Sequence, residues 1–127
     1  MLGLDADRFD RLVAEAVDSL PEWIGEHMEN VFLTTAIWPS SHQMQSSRVG
    51  RNSLLLGLYE GVPLSRRGGR YHLTPPDRIT LFQRPLEMVA RDEEHLVDLV
   101  QSTIIHEIAH HFGFSEDELR RLEGRDE

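Results

Sequence analysis

Apolar residues recur near the N-terminus at Phe9, Leu12, Val13, Ala16, Val17 and Leu20, the i, i+3, i+4, i+7 spacing of one helix face, with Asp, Glu and Arg between them. The pattern predicts a helix from about Asp5 to Ser19. Pro21 cannot continue that helix but suits the first turn of another, so a short second helix is expected to about Met28. Val31 to Trp38 is rich in β-branched and aromatic residues and stops at Pro39, which predicts a buried strand. From Ser40 to Ser53 the chain is polar without a period and reads as a surface loop. Leu54 to Tyr59 is apolar and Glu60 to Leu64 has turn chemistry, so a short strand entering a tight turn is expected. Arg66-Arg67-Gly68-Gly69-Arg70 reads as a hairpin tip, a solvated Gly-rich turn with contact to an acidic ligand as the alternative. Arg78 to Gln83 alternates like a strand with one polar face, and Pro85 opens a further short helix.

The strongest helical signal comes last. Asp92 is a good N-cap, Glu93 and Glu94 complement the dipole of the first turn, and a long apolar helix follows to Phe112. On a helical wheel Val97, Val100, Ile104 and Ile108 form one stripe, while Leu96, Leu99 and Thr103 share the side of His106 and His110. A helix this apolar is expected to be buried on most sides. Gly113 predicts a left-handed C-cap, and Ser115 with Glu118 predicts a capping box for a last helix through Leu122. Phe9, Trp23 and Phe82 read as core.

Composition narrows the chemistry. With 127 residues and neither a repeat nor a linker, one domain over residues 1–127 is expected. The absence of cysteine removes disulfides, thiolate metal sites and thiol nucleophiles, so a metal site must use His and carboxylate. A net charge of −9 argues against nucleic acid and anionic membranes as partners. No apolar run is long enough for a bilayer span and no leader pattern opens the chain, which predicts a cytoplasmic protein. All 13 basic residues are Arg, a bias that carries no functional information of its own.

The chemistry gathers at His106-Glu107-Ile108-Ala109-His110, an H-E-x-x-H match on the long helix. Residues four apart lie on one helix face, so His106 and His110 can reach one zinc ion together. Glu107 lies about a quarter turn away, where it can take a proton from a water activated at the metal without ligating it, and later pass that proton to a leaving amine. Chance places the pentapeptide in such a chain with a probability of roughly 4%, but Gly113 and Glu116 after it lower that to well below about 1%. An abrupt left-handed turn at Gly113 lets the following carboxylate swing back toward the helix. Glu116 is therefore the expected third ligand, with the adjacent Asp117 as the alternative. Acidic residues in the first turn of a capped helix are also stabilising without any metal. Likewise, two histidines satisfied in a core are the plain alternative to a ligand pair. His111 points away from that pair and is expected to pack. His42, His72, Tyr59 and Tyr71 are the side chains that could polarise a substrate carbonyl.

At these residues the sequence resembles the small zincin-like metallopeptidases of bacteria, the minimal zincins. Most of the chain takes part, through Leu56-Gly57-Leu58-Tyr59-Glu60-Gly61-Val62-Pro63-Leu64, Pro76-Asp77-Arg78-Ile79-Thr80-Leu81-Phe82, and above all His106-Glu107-Ile108-Ala109-His110-His111-Phe112-Gly113-Phe114-Ser115. The resemblance implies an α+β minimal zincin-like fold, a small β-sheet packed with the active-site helix and an N-terminal helix. It also implies Zn2+ held by His106 and His110 with Glu107 as general base. That family usually has Asp where this chain has Glu116, and no Met-turn follows the motif. The expected function is a zinc-dependent metallopeptidase acting on peptides or unfolded proteins, with the strand around Ile79 to Phe82 aligning an extended substrate by β-augmentation. So short a chain implies a shallow cleft, which a homodimer is one way to complete. The competing readings are a catalytically inactive zincin-fold binding or regulatory module and a structural metal domain; a purely structural two-His site has no reason to place Glu107 beside the metal, whereas hydrolysis needs it.

Overall fold

The computed structural model describes residues 2–47, 53–61 and 77–125. Along these residues run α1 (Ala6–Asp18), α2 (Glu22–His27), β1 (Val31–Ala36), α3 (Ser41–Ser46), β2 (Gly57–Glu60), β3 (Asp77–Phe82), α4 (Gln83–Val89), α5 (Glu93–His111) and α6 (Glu116–Arg125). The architecture is α+β. The strands form one mixed sheet in the order β1-β3-β2, with β1 parallel and β2 antiparallel to β3. Among the described residues no helix is long and apolar enough to cross a membrane.

Local chemistry explains the helix ends. The Asp5 side chain accepts from the Arg8 amide at 2.8 Å and starts α1, and Asp92 accepts from the His95 amide at 2.7 Å and starts α5. At the far end of α5, Gly113 has φ +76°, which an L side chain adopts at a cost. There the Phe114 amide donates to the Ala109 carbonyl at 2.8 Å and the Gly113 amide to His110 at 3.3 Å, the bond pair of a Schellman turn. The expected capping box of α6 is present too, with the Ser115 hydroxyl accepting from the Glu118 amide at 3.1 Å.

Packing puts α5 at the centre. Its buried side chains are Leu96, Val100, Ile104, Ile105, Ile108 and Ala109, and each of the larger ones contributes about 2 kcal/mol by leaving water. Leu96 takes the core place assigned from the wheel to Val97, because a spacing of four from Leu96 to Ile108 drifts only slowly around the helix. On one side of the sheet Ile79 and Leu81 join Phe9, Leu12, Val13 and Ala16 of α1 around α5. The opposite faces of β2 and β3 carry Leu58 and Phe82, which form a second, smaller cluster with Leu55, Ala36 and Met44. Trp23 is only partly buried and packs edge-on against Phe114 with ring centroids 5.7 Å apart.

Three sequence expectations are corrected. β1 is not a buried strand through Trp38: it stops at Ala36 at the edge of the sheet, and Phe32, Ile37 and Trp38 are each more than half exposed. β3 is not half-polar but central, with its last four residues buried, so both of its edges are taken and it cannot align a substrate strand. Residues 41–46 of the expected loop are α3, started by a capping box between Ser40 and Gln43 that compensates for its lack of an apolar stripe. The expected hairpin tip at Arg66 to Arg70 lies outside the described residues.

The N-terminal segment is tied down by Glu87, fully buried on α4. Its carboxylate accepts from the Leu4 amide at 2.5 Å and from Arg84 Nη1 at 2.5 Å, while Gln83 Nε2 donates to the Leu4 carbonyl at 2.9 Å. Removing the Glu87 carboxylate leaves the Leu4 amide and the partly exposed Arg84 guanidinium without their acceptor, so Glu87→Ala is expected to cost about 2 kcal/mol. Urea unfolding measures this, and a loss below about 1 kcal/mol would show that the buried carboxylate is dispensable.

Candidate functional site

The last turns of α5 carry His106, Glu107, His110 and His111. Both His106 and His110 are exposed, so neither is a satisfied core histidine. His106 Nδ1 lies 2.8 Å from the Ser102 carbonyl, and since a carbonyl only accepts, Nδ1 donates there and Nε2 is the nitrogen directed away from that bond. The two rings are 6.4 Å apart between centroids and nearly perpendicular, at 83°. Two imidazoles on one tetrahedral ion need about 5 Å between centroids, so these rings would have to move closer to share one.

Glu107 turns the other way, toward β2, and is largely buried. The antiparallel pairing of β2 with β3 decides what it meets. Leu56 accepts from the Phe82 amide at 2.9 Å, so Leu56, Leu58 and Glu60 direct their backbone groups to β3. Gly57 and Tyr59 direct theirs outward, and the Tyr59 amide donates to Glu107 Oε1 at 2.7 Å. Burial raises the Glu107 carboxyl above the ordinary carboxylate range, with the Tyr59 amide and then His110 and His106 pulling it back.

This raised value has a consequence for stability. A raised carboxyl contributes stability that is fully present below its unfolded-state pKa and is lost as pH rises through the folded value. Metal-free wild type is therefore expected to lose stability relative to Glu107→Gln as pH climbs from about 4 toward neutrality. Urea midpoints of the two proteins across that interval test it, and a wild type that gains on the variant would contradict the assignment.

The remaining expected site residues are dispersed. Glu116 opens α6 directly after the Gly113 turn, and its side chain lies outside what is described. The exposed Asp117 carboxylate is paired with Arg120 at 3.3 Å. Among the described residues no group of three or more His, Asp or Glu side chains is arranged to hold a metal. His42 sits exposed on α3, and Tyr71 and His72 lie outside the described residues. Tyr59 does not offer a free hydroxyl to a substrate, because its OH donates to Asp77 Oδ2 at 2.7 Å. Its ring stacks on His111 at 3.9 Å and 19°, and His111 Nε2 lies 3.8 Å from the same Asp77 oxygen. His111 thus packs, as expected. Asp77 was missed, since Pro75-Pro76-Asp77 reads only as a chain break, and so was the Tyr59 amide, which has no side-chain signature.

An open cleft of about 780 Å3 lies on one side of Glu107, bounded by Ser46, Leu55, Leu58, Tyr59, His110 and Phe114. A smaller recess of about 300 Å3 on the other side is bounded by Leu54, Leu56, Leu99, Thr103 and His106. Glu107 lines both. His110 thus borders the cleft and His106 the recess, with the anchored Glu107 carboxylate shared between them and β2 at the edge of the sheet among the described residues.

A family model described as zincin-like metallopeptidase matches residues 28–125. A conserved hypothetical protein of Thermus thermophilus superposes with a TM-score of 0.52 at 21% identity, over 96% of this chain and 100% of that one. At that identity the likeness speaks for the fold alone. No curated protein matches the sequence.

Proposed function

The chain belongs to the zincin-like metallopeptidase family, and from that membership we propose that it hydrolyses peptide bonds as a zinc-dependent enzyme with Glu107 as its general base. The observation that carries this reading is the Glu107 carboxylate, anchored by the Tyr59 amide between an open cleft that His110 lines and a recess that His106 lines. His106 and His110 would hold the metal with Glu116, and nitrogen and carboxylate donors suit zinc. When bound, zinc would polarise the scissile carbonyl and lower the pKa of water to about 7. Glu107 keeps Oε1 on the Tyr59 amide and uses its other oxygen to accept the proton of the attacking water. It then donates that proton to the amine as the C–N bond breaks, so the carboxylate is regenerated.

Substrate alignment falls to β2 rather than β3. The outward backbone groups of Gly57 can pair with an extended peptide, while Leu55, Leu58 and Phe114 favour an apolar side chain in the larger cleft. Peptides and unfolded proteins are the substrates this arrangement suits. Turnover of an unstructured peptide library by the zinc-loaded protein tests the reading, and no cleavage of any member would overturn it.

The third ligand has its own test. Glu116→Ala is expected to weaken zinc binding by at least about tenfold, near 1.4 kcal/mol, and Asp117→Ala by less than about threefold. Competition against a chromophoric chelator gives both values. The opposite ranking would move the role to Asp117.

A further inference from the structure

Position 57 is where β2 and α5 come closest. A Cβ built on Gly57 would lie 2.6 Å from Thr103 Cγ2 and 3.2 Å from the Thr80 carbonyl oxygen, so no side chain fits between strand and helix. Thr103, Glu107 and His111 stand at i, i+4 and i+8, on one face of α5. Gly57 and Tyr59 stand at i and i+2, on one face of β2. The two rows meet at three points: Thr103 against Gly57, Glu107 on the Tyr59 amide at 2.7 Å, and His111 stacked on the Tyr59 ring at 3.9 Å. The Tyr59 hydroxyl, bonded to Asp77 on the central strand, holds the outer end of the row.

Resting on the function proposed above, we propose that Gly57 and Tyr59 are positioning residues that seat the edge strand on the Thr103–Glu107–His111 face of α5 and thereby fix the Glu107 carboxylate beside His106 and His110. Tyr59 acts through its backbone amide, with its ring and hydroxyl as the clamp. A Glu side chain without this anchor regains rotamer freedom, and a displacement of about 1 Å at a reacting group costs on the order of 100-fold in rate. Gly57→Ala introduces that displacement by pressing its methyl on Thr103. Thr103→Ser removes the opposing Cγ2 and keeps the hydroxyl, which donates to the Leu99 carbonyl at 2.7 Å.

The seat can be read without any turnover, from the Tyr59 amide resonance of 15N-labelled metal-free protein. Glu107→Ala identifies the shift due to the carboxylate bond. Gly57→Ala is expected to abolish that shift, and Gly57→Ala with Thr103→Ser to restore most of it. Tyr59→Phe keeps the ring stack, loses the bond to Asp77, and is expected to speed Tyr59 amide exchange by at least about threefold. In the zinc-loaded protein, peptide turnover should fall about 100-fold in Gly57→Ala and recover at least about tenfold in the double variant. The proposal is overturned by a Tyr59 amide that Gly57→Ala leaves in place, by a loss that Thr103→Ser does not repair, or by turnover that is unchanged once the bond is gone. If Gly57→Ala does not fold, the double variant and Tyr59→Phe decide: wild-type Tyr59 exchange in Tyr59→Phe overturns the clamp, and a double variant that stays unfolded overturns the Thr103 contact. A wild type with the seat intact and repairable but without turnover supports the seat and overturns the peptidase function instead.

Discussion

Zinc-loaded Glu107→Gln is expected to cleave peptides about 1,000-fold more slowly than wild type while binding zinc within about threefold of it. Gln keeps a carbonyl oxygen for the Tyr59 amide to donate to, so the anchor seen at 2.7 Å survives the substitution. What the amide cannot do is accept a proton from water. The variant therefore separates proton transfer from positioning, and the loss belongs to general-base chemistry, which supplies typically about 100- to 10,000-fold. Mass spectrometry of a peptide library, with zinc restored to both proteins, measures the ratio. Equal turnover would remove Glu107 from the mechanism. Zinc binding with silence from both proteins would instead favour a catalytically inactive binding module on the same fold.

The double variant His106→Ala with His110→Ala is expected to lose zinc binding by at least about 1,000-fold, near 4 kcal/mol, from a wild type that binds about one zinc per chain. Both imidazoles are exposed, and His106 makes one hydrogen bond, to a carbonyl in its own helix, so the fold should persist. Circular dichroism checks the fold, and calorimetry with chelator competition checks the affinity. Since neutral imidazole is the ligand form, wild-type affinity should also fall on acidification. A double variant that binds zinc like wild type would end the metal assignment.

The long helix illustrates what was legible along the chain. Its Asp92 cap, its Gly113 turn and the Ser115–Glu118 box depend on groups a few residues apart, and they stand where the sequence places them. The face shared by His106 and His110 follows from helical spacing in the same way. Strand identity was legible, but strand environment was not. Val31–Ala36 has the more continuous β-branched and aromatic pattern and Asp77–Phe82 the alternating one, yet the first is at the edge of the sheet and the second is its buried centre.

Local backbone geometry and short-range hydrogen bonds thus let the sequence by itself determine α1, α5, the turn at Gly113 and the proximity of the H-E-x-x-H side chains. Only the tertiary structure decided that β3 is the central strand with β1 and β2 as its neighbours, that the Tyr59 hydroxyl is spent on Asp77, and that the Tyr59 amide holds Glu107. The reason is separation along the chain. Tyr59 and Glu107 are 48 residues apart, and their contact needs β2 paired to β3 and α5 packed within reach of a residue that has no side chain. No local period encodes such a meeting, because a backbone amide looks the same at every position until the fold gives it a partner.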